Sequence, residues 1–383
     1  MDRFPRARTA IVSGATFGMG EAPGFDSIDL AAHAATKALS QVGMTPADVD
    51  ALFICLPDDY LGGLTFSQYL GISPRLTDSN RTGGSSFLTH VEWAALALDA
   101  GMCDVALIAY GSNQRSSTGK LAGTTKFDPY EGPYKPRLPV AAYALAASRH
   151  MHEFGTTSEQ LASVAVAARQ WAQLNPDAFM RDALSIDDVL AARRVADPFG
   201  VRDCCLVTDG AASIVMTRAD RARDLVDRPA YVLGAGSATH SYAISSMPDL
   251  TSTAAVESGR RAFARAGVTP AEIDVLQLYD AFTINPILFL EDLGFCPKGE
   301  GGRFVSDGKL APGGSLPTNT NGGGLSCVHP GMYGLFTLVE SSEQLMGLAG
   351  SRQVPDARLA LAHGNGVYLS SQATVILGTE ETI

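Results

Sequence analysis

The sequence predicts an α/β protein built from two matching halves. Three observations carry this. Short segments rich in Val, Ile and Leu alternate with helical patterns along the chain. Residues 38–54, ALSQVGMTPADVDALFI, recur in changed form as 262–278, AFARAGVTPAEIDVLQL. Asn80-Arg-Thr-Gly-Gly84 is echoed at a similar offset by Asn319-Thr-Asn-Gly-Gly323.

Each repeated unit spells one device: an amphipathic helix closed by a glycine, a Thr-Pro turn, then an apolar strand. In the first half the expected strands are Thr9 to Ser13, Ala51 to Leu56, Val105 to Tyr110 and Ser213 to Thr217, with a helix over Phe87 to Met102. The second half repeats the order with strands at Tyr231 to Gly234, Val275 to Tyr279, Leu359 to His363 and Thr374 to Leu377, and a helix over Tyr333 to Leu348. The charged connector Asp220 to Arg228 divides the halves, giving units 1–225 and 226–383. A long insertion at about 113–200 interrupts the first unit. It opens with QRSSTGKLAGTTKFDPYEGPYKPRLP, rich in Gly, Pro and Ser, and continues in two helices from Val140 to Asn175. An insertion of that size points to a lid or a contact surface.

Composition narrows the class. The 383 residues are 46% hydrophobic and 18% charged, with a net charge of -11, enough for a substantial core and without the basic field that nucleic acid or an anionic membrane would need. The most apolar run, Ala94 to Tyr110, is broken by Asp99 and Asp104, so no membrane span is expected. The first residues lack the apolar stretch of a signal peptide, which predicts a cytoplasmic protein. Six cysteines suggest reduced, mostly buried thiols rather than a disulfide scaffold.

Common site motifs are missing. Gly14 to Gly20 follows a strand but lacks the dinucleotide-binding spacing. His90, His150 and His152 show no third ligand at metal spacing, so no metal site is expected in this chain. Asp209-Gly210 reads as a turn holding strand register, and Trp93 and Trp171 read as helix-packing residues. What stands out is four polar loops at strand ends and helix starts: Asn80 to Ser86, Tyr279-Asp-Ala-Phe282, Asn319 to Pro330 with its Cys327-Val-His329-Pro330, and His363-Gly-Asn-Gly366.

These loops and the duplication resemble the thiolase superfamily over nearly the whole chain, most closely its sterol-carrier-protein-type branch of lipid-transfer-like proteins. Segments carrying the resemblance include DPFGVRDCCLVTDGAASIVM, YDAFTINPILFLEDLGFCPKGEGGRF and GGSLPTNTNGGGLSCVHP. The resemblance implies a duplicated thiolase-like fold, two βαβαβ-type halves packed in an αβαβα layered sandwich. In that family the first loop bears a nucleophilic cysteine, the third a histidine and the fourth an acid/base cysteine. Here the first loop reads Asn80-Arg-Thr-Gly83-Gly84-Ser85-Ser86, the second opens with Tyr279, and the fourth has His363 in the cysteine's place. Only His329 is retained.

Without the thiol, an acyl-enzyme is not expected, since a serine hydroxyl there would need a positioned base. Retro-aldol cleavage of a β-hydroxyacyl thioester requires only a base, a proton donor and an oxyanion site. The resemblance to steroid side-chain aldolases of this branch implies that chemistry, with a small zinc-ribbon/OB-fold partner. Expected roles follow. Tyr279 serves as acid/base, its phenol lowered toward neutrality by neighbouring donors. His329 and His363 form the oxyanion hole, and Tyr333 delivers the proton. Gly83, Gly84, Ser85, Asn319 and Gly364 shape the substrate site. Coenzyme A enters as part of the acyl-CoA substrate, no cofactor is bound in this chain, and zinc belongs only to the partner. A homodimer core and a heterotetramer with that partner are expected. Two rival readings stay open: a thiolase-like acyltransferase using Cys327, and a non-catalytic acyl-CoA or lipid carrier.

Overall fold

A computed structural model of the chain describes residues 4–119 and 128–383; part of the insertion's Gly-, Pro- and Ser-rich opening lies outside them. In chain order the strands are β1 (Thr9–Gly20), β2 (Ala51–Ile54), β3 (Leu76–Asp78), β4 (Val105–Ser112), β5 (Arg194–Ala196), β6 (Phe199–Gly200), β7 (Asp209–Arg218), β8 (Ala230–Thr239), β9 (Val275–Leu278), β10 (Leu359–Gly366) and β11 (Ser371–Gly378). The helices are α1 (Ser27–Gln41), α2 (Gly62–Leu70), α3 (Ser86–Asp99), α4 (Gln114–Ser117), α5 (Val140–Phe154), α6 (Ser158–Gln173), α7 (Ile186–Leu190), α8 (Ala219–Leu225), α9 (Ala255–Ala266), α10 (Ile284–Asp292), α11 (Gly301–Ser306) and α12 (Gly334–Met346).

Strand order is β3-β2-β4-β7-β1-β8-β11-β10-β9. This order is nearly palindromic. β2 and β4 run parallel, as do β9 and β10, and each pair continues antiparallel into β7 or β11 and then into β1 or β8. Leu276 bridges in parallel to Thr318 on the outer side of β9, where β3 stands beside β2. Within the sheet the halves join where β1 pairs antiparallel with β8, Ala10 with Tyr231 and Ile11 with Ala230, and the N–H of Ala7 donates to the carbonyl of Val232 at 2.9 Å. The repeated turn is equally symmetric. The N–H of Thr45 donates to Asp48 at 2.8 Å and that of Thr269 to Glu272 at 2.8 Å, so each Thr-Pro turn is capped by the acid three residues on.

The layers follow from which faces are apolar. α1 packs on β1, β4 and β7, and α9 on β8 and β11, as outer layers. α3 and α12 contact strands of both halves and each other, and nearly all of their residues are buried, so they form the middle layer of the αβαβα sandwich. The insertion supplies α4 to α7 and the β5-β6 hairpin, and α6 packs against α11 and the turn Gly323–Cys327. No helix among the described residues is long and apolar enough to cross a membrane.

Several expectations are corrected. Gly14 to Gly20 is no loop: it is the second half of β1, paired to β7 from Gly14 with Ile214 to Phe17 with Ala211. Trp93 is half exposed on α3 instead of packing helices, whereas Trp171 is buried and its indole N–H donates to the carbonyl of Leu310 at 2.8 Å. The short strands β3, β5 and β6 lack the length to show as apolar patterns.

Candidate functional site

The four polar loops converge on a cavity of about 390 Å³. Gly83 and Gly84 at the start of α3 form one wall. Tyr279, Ala281 and Phe282 beyond β9, the segment His329 to Met332, and Asn365 to Tyr368 at the end of β10 form others. Tyr110 from β4 and Tyr143 from α5 complete it, so the insertion contributes directly to the chamber.

Tyr279 sits one residue beyond β9, and its backbone N–H donates to the carbonyl of His363 at 3.0 Å, which fixes where its side chain leaves the strand. Its ring lies in the space a side chain at position 84 would take: a Cβ on Gly84 would stand 1.9 Å from Tyr279 Cε2. The phenol oxygen lies 3.1 Å from Nε2 of His329 and accepts the backbone N–H of Tyr333 at 3.2 Å. Burial pushes the phenol well above its ordinary range, with Tyr143 and Cys205 adding to the effect, so the expected lowering toward neutrality is corrected.

His329 is held from behind, its backbone N–H donating to Thr208 Oγ1 at 2.9 Å. Burial lowers its imidazole to about 4, so it is neutral at physiological pH. Its Nδ1 is buried without a hydrogen-bond partner among the described residues. Tyr279 and His329 are therefore a neutral pair with a single shared hydrogen bond, and the imidazole keeps one nitrogen for something the chain does not supply.

Comparison with known proteins bears on what this chamber is for. Residues 236–379 match the family model described as Thiolase C-terminal domain-like. The chain is 33% identical over 357 residues to an acetyl-CoA acetyltransferase of Methanothermobacter thermautotrophicus, covering 88% of this chain and 91% of that one. It is 34% identical over 373 residues to the 17-hydroxy-3-oxo-4-pregnene-20-carboxyl-CoA lyase of Mycobacterium tuberculosis, covering 93% and 95%. The solved structure titled Ltp2-ChsH2(DUF35) aldolase superposes with a TM-score of 0.89 at 28% identity, covering 98% of each chain. The chain belongs to the thiolase superfamily.

Thiolase-superfamily relatives thus carry both transferase and lyase names, and the residues of this chamber must discriminate. The resemblance places the family's nucleophilic thiol at Gly83. Gly83 has φ +89°, and a Cβ there would lie 2.8 Å from the Cα of Gly366 and 2.9 Å from the N of Val367. Those neighbours are backbone, so a thiol-bearing residue cannot be seated without moving a strand end. Cys327 offers no replacement. It is fully buried, accepts from Asn175 Nδ2 at 3.5 Å, lines none of the chamber, and burial raises its pKa far above the thiol range. Cys205 does line the chamber, yet burial holds its thiol well above 9 as well.

Several expected site residues turn away from the chamber. His363 is buried behind it: Nε2 lies 3.0 Å from Gln372 Oε1, which fixes that nitrogen as the donor, and Nδ1 lies 2.9 Å from the Thr374 hydroxyl. With both nitrogens engaged by β11, its ring has no N–H to offer an oxyanion. Tyr333 sends its hydroxyl to Asn321 Oδ1 at 2.8 Å; what it gives the site is its backbone N–H and a ring at 5.8 Å from that of Tyr279. Asn319 uses its side-chain oxygen to accept the N–H of Leu278 at 2.7 Å, pinning the end of β9. Ser85 hydrogen-bonds Ser371 at 3.0 Å, and Gly364 packs against Leu88 and the start of α3. All three hold the walls rather than face the cavity.

Two residues not singled out from sequence face it instead. Asn365 donates through Nδ2 to the Tyr143 hydroxyl at 2.7 Å and accepts from Gln372 Nε2 at 2.8 Å; Tyr143 in turn donates to the carbonyl of Val367 at 2.6 Å and stacks on Phe282. A buried chain from His363 through Gln372 to Asn365 therefore sets a polar group at the chamber wall. Asp280 acts from behind the chamber wall: fully buried, it accepts the N–H of Gly324 at 2.6 Å and pulls the turn Gly323–Cys327 in toward Tyr279. A Cβ on Gly323 would fall 2.0 Å from its Oδ2, so only glycine fits there. Burial outweighs these donors and raises the carboxyl to about 7. Asp280 was legible as the neighbour of Tyr279 in the second loop, but nothing local marked it as the clamp of the third.

Proposed function

We propose that the chain is a carbon–carbon lyase: a retro-aldolase that cleaves a bulky, steroid side-chain-like β-hydroxyacyl-CoA into a ketone or aldehyde and a shorter acyl-CoA, with no acyl-enzyme. The observation that carries this is the Tyr279–His329 pair at 3.1 Å, packed against the Gly83-Gly84 turn where the resemblance would put a nucleophilic cysteine at Gly83. The β-hydroxyl proton passes to the Tyr279 oxygen while the phenol's own proton moves to Nε2 of His329. The alkoxide collapses to the carbonyl product and the C–C electron pair moves onto the α-carbon as a thioester enolate. Imidazolium and enolate then balance each other, and the proton returns through Tyr279 to the α-carbon. A phenol held neutral by burial suits this relay, because no step requires a standing phenolate. The free Nδ1 of His329 and the second amide hydrogen of Asn365 are the side-chain donors offered to the thioester oxygen, with Asn365 taking the role first expected of His363.

The acyltransferase reading draws on the Methanothermobacter relative, but it needs a thiolate that no cysteine of this chamber supports. A carrier would have no use for the proton relay. Tyr279→Phe separates the readings. A lyase loses turnover by about 10²–10⁴-fold while still binding a CoA thioester. Unchanged release of ketone would end the proposal.

Partners follow the same reading. The aldolase structure names ChsH2(DUF35) beside Ltp2, and we infer a small partner of that kind for this chain, seated over the chamber mouth. Glu131 Oε1 accepts the N–H of Ser245 at 2.9 Å, tying the segment that carries exposed Tyr130 and Tyr134 to the one that supplies Tyr242 to the chamber lining. Pairing of two copies is inferred at the outer edge of β3, beside the exposed apolar Tyr60, Leu61 and Leu64 at the start of α2.

A further inference from the structure

A second cavity, of about 380 Å³, adjoins the chamber, and Cys205 lines both, so the segment around it forms the partition. Its walls are mostly apolar, with Ala165, Leu184, Val201 and Leu325 among them, yet two arginines reach it. Arg169, on α6, is 3% exposed. Its Nε donates to Ser326 Oγ at 2.9 Å and Nη1 to the carbonyl of Asp182 at 2.9 Å, while Nη2 makes no hydrogen bond among the described residues. No carboxylate lies within ion-pair distance of it there, whereas the comparably sequestered Arg352 holds both Glu340 and Glu343. Arg202, half-buried at the same cavity, also has no ion pair among the described residues.

Burying a guanidinium without a counter-charge is costly, and placing a second beside it adds repulsion. Although the chain carries 40 acidic residues against 29 basic ones, none of the described carboxylates comes within 4 Å of either guanidinium; Asp182 and Asp188 act on Arg169 and Arg202 only from farther off. The vacant donors form part of a planar fork that matches a carboxylate, and apolar walls accept a hydrocarbon body. We propose that this second cavity binds a carboxylate attached to a short apolar chain, separately from the acyl-CoA of the reaction chamber. Nothing in this depends on the lyase reading.

Titration calorimetry of the full chain with octanoate, octan-1-ol and inorganic phosphate tests it. Octanoate is expected to bind at one site, and octan-1-ol about tenfold more weakly or worse, since it lacks the charge. Ala165→Trp, which fills the cavity, should abolish octanoate binding. Arg202→Gln, on the more exposed side and compatible with folding, should weaken it about fivefold or more. No octanoate binding, equal binding of octan-1-ol, displacement of octanoate by millimolar phosphate, or octanoate binding unchanged in both variants would each overturn the proposal. A thermal melt of Ala165→Trp identifies a folding failure, in which case Arg202→Gln decides.

Discussion

Replacing Gly84 by Ala tests whether the position of the Tyr279 ring matters. The added methyl would stand 1.9 Å from Tyr279 Cε2 and 2.8 Å from the carbonyl oxygen of Asn365. Carbon atoms settle at about 3.5–4.0 Å, so the ring must retreat by about 1.5–2 Å. The phenol then leaves hydrogen-bond range of His329, now at 3.1 Å. A displacement of about 1 Å at a reacting group costs on the order of 10²-fold in rate. Overpacking costs about 1–3 kcal/mol of stability. The left-handed φ of Gly83 is not shared by Gly84, so the effect is steric and not conformational. Turnover is followed as ketone released from a β-hydroxyacyl-CoA, and stability by chemical denaturation. In a Tyr279→Ala background the same substitution should lose most of its stability cost, because the ring it strikes is gone. Turnover of Gly84→Ala within about threefold of the parent, or an equal stability cost in both backgrounds, would show that the position of the Tyr279 ring does not govern turnover.

Further outcomes follow from the same geometry. Gly83→Cys should yield no acyl-enzyme and should destabilise the chain, since its Cβ meets the backbone of Gly366 and Val367; a thioester adduct in intact mass would show otherwise. Iodoacetamide should modify the folded protein slowly and leave turnover intact, because burial raises Cys55 and Cys103 to about 11 and Cys204 and Cys296 to about 12, and pushes Cys205 and Cys327 up as well; rapid inactivation would return the acyltransferase reading to contention. Asp280→Asn tests the buried carboxyl. With its pKa raised from 3.8 to about 7, the folded state keeps a proton that the unfolded state releases, so this group's support is complete below pH 3.8 and is lost as pH rises through about 7. The variant should therefore gain on the parent across that window, by up to about 4 kcal/mol, in denaturant midpoints measured from pH 4 to 8. A difference independent of pH would contradict the assignment.

How much was legible in the sequence depended on the range of the interactions involved. The duplication fixed both halves, since each strand's apolar run and each Thr-Pro cap are local patterns that survive in the order of residues. Tyr279 and His329 were legible because each sits in a loop that the family resemblance marks. His363 was misassigned, because what decides its role is the register of β10 against β11, which sets Thr374 and Gln372 against its ring. Tyr333 failed for a similar reason: the phenol's partner, Asn321, lies in a turn whose path no periodicity reveals. Tyr143 sits in an Ala-rich helix of the insertion and reads as ordinary packing until the fold brings that helix over the chamber.

Under the proposed function, C–C bond cleavage proceeds by proton relay between Tyr279 and His329 and never through a covalent acyl group. Acid-quenched intact-protein mass spectrometry during turnover of a β-hydroxyacyl-CoA tests it directly. Ketone and shortened acyl-CoA are expected to accumulate while the protein mass stays that of the unmodified chain. A mass increase equal to the acyl group, formed and lost on the timescale of turnover, would contradict it.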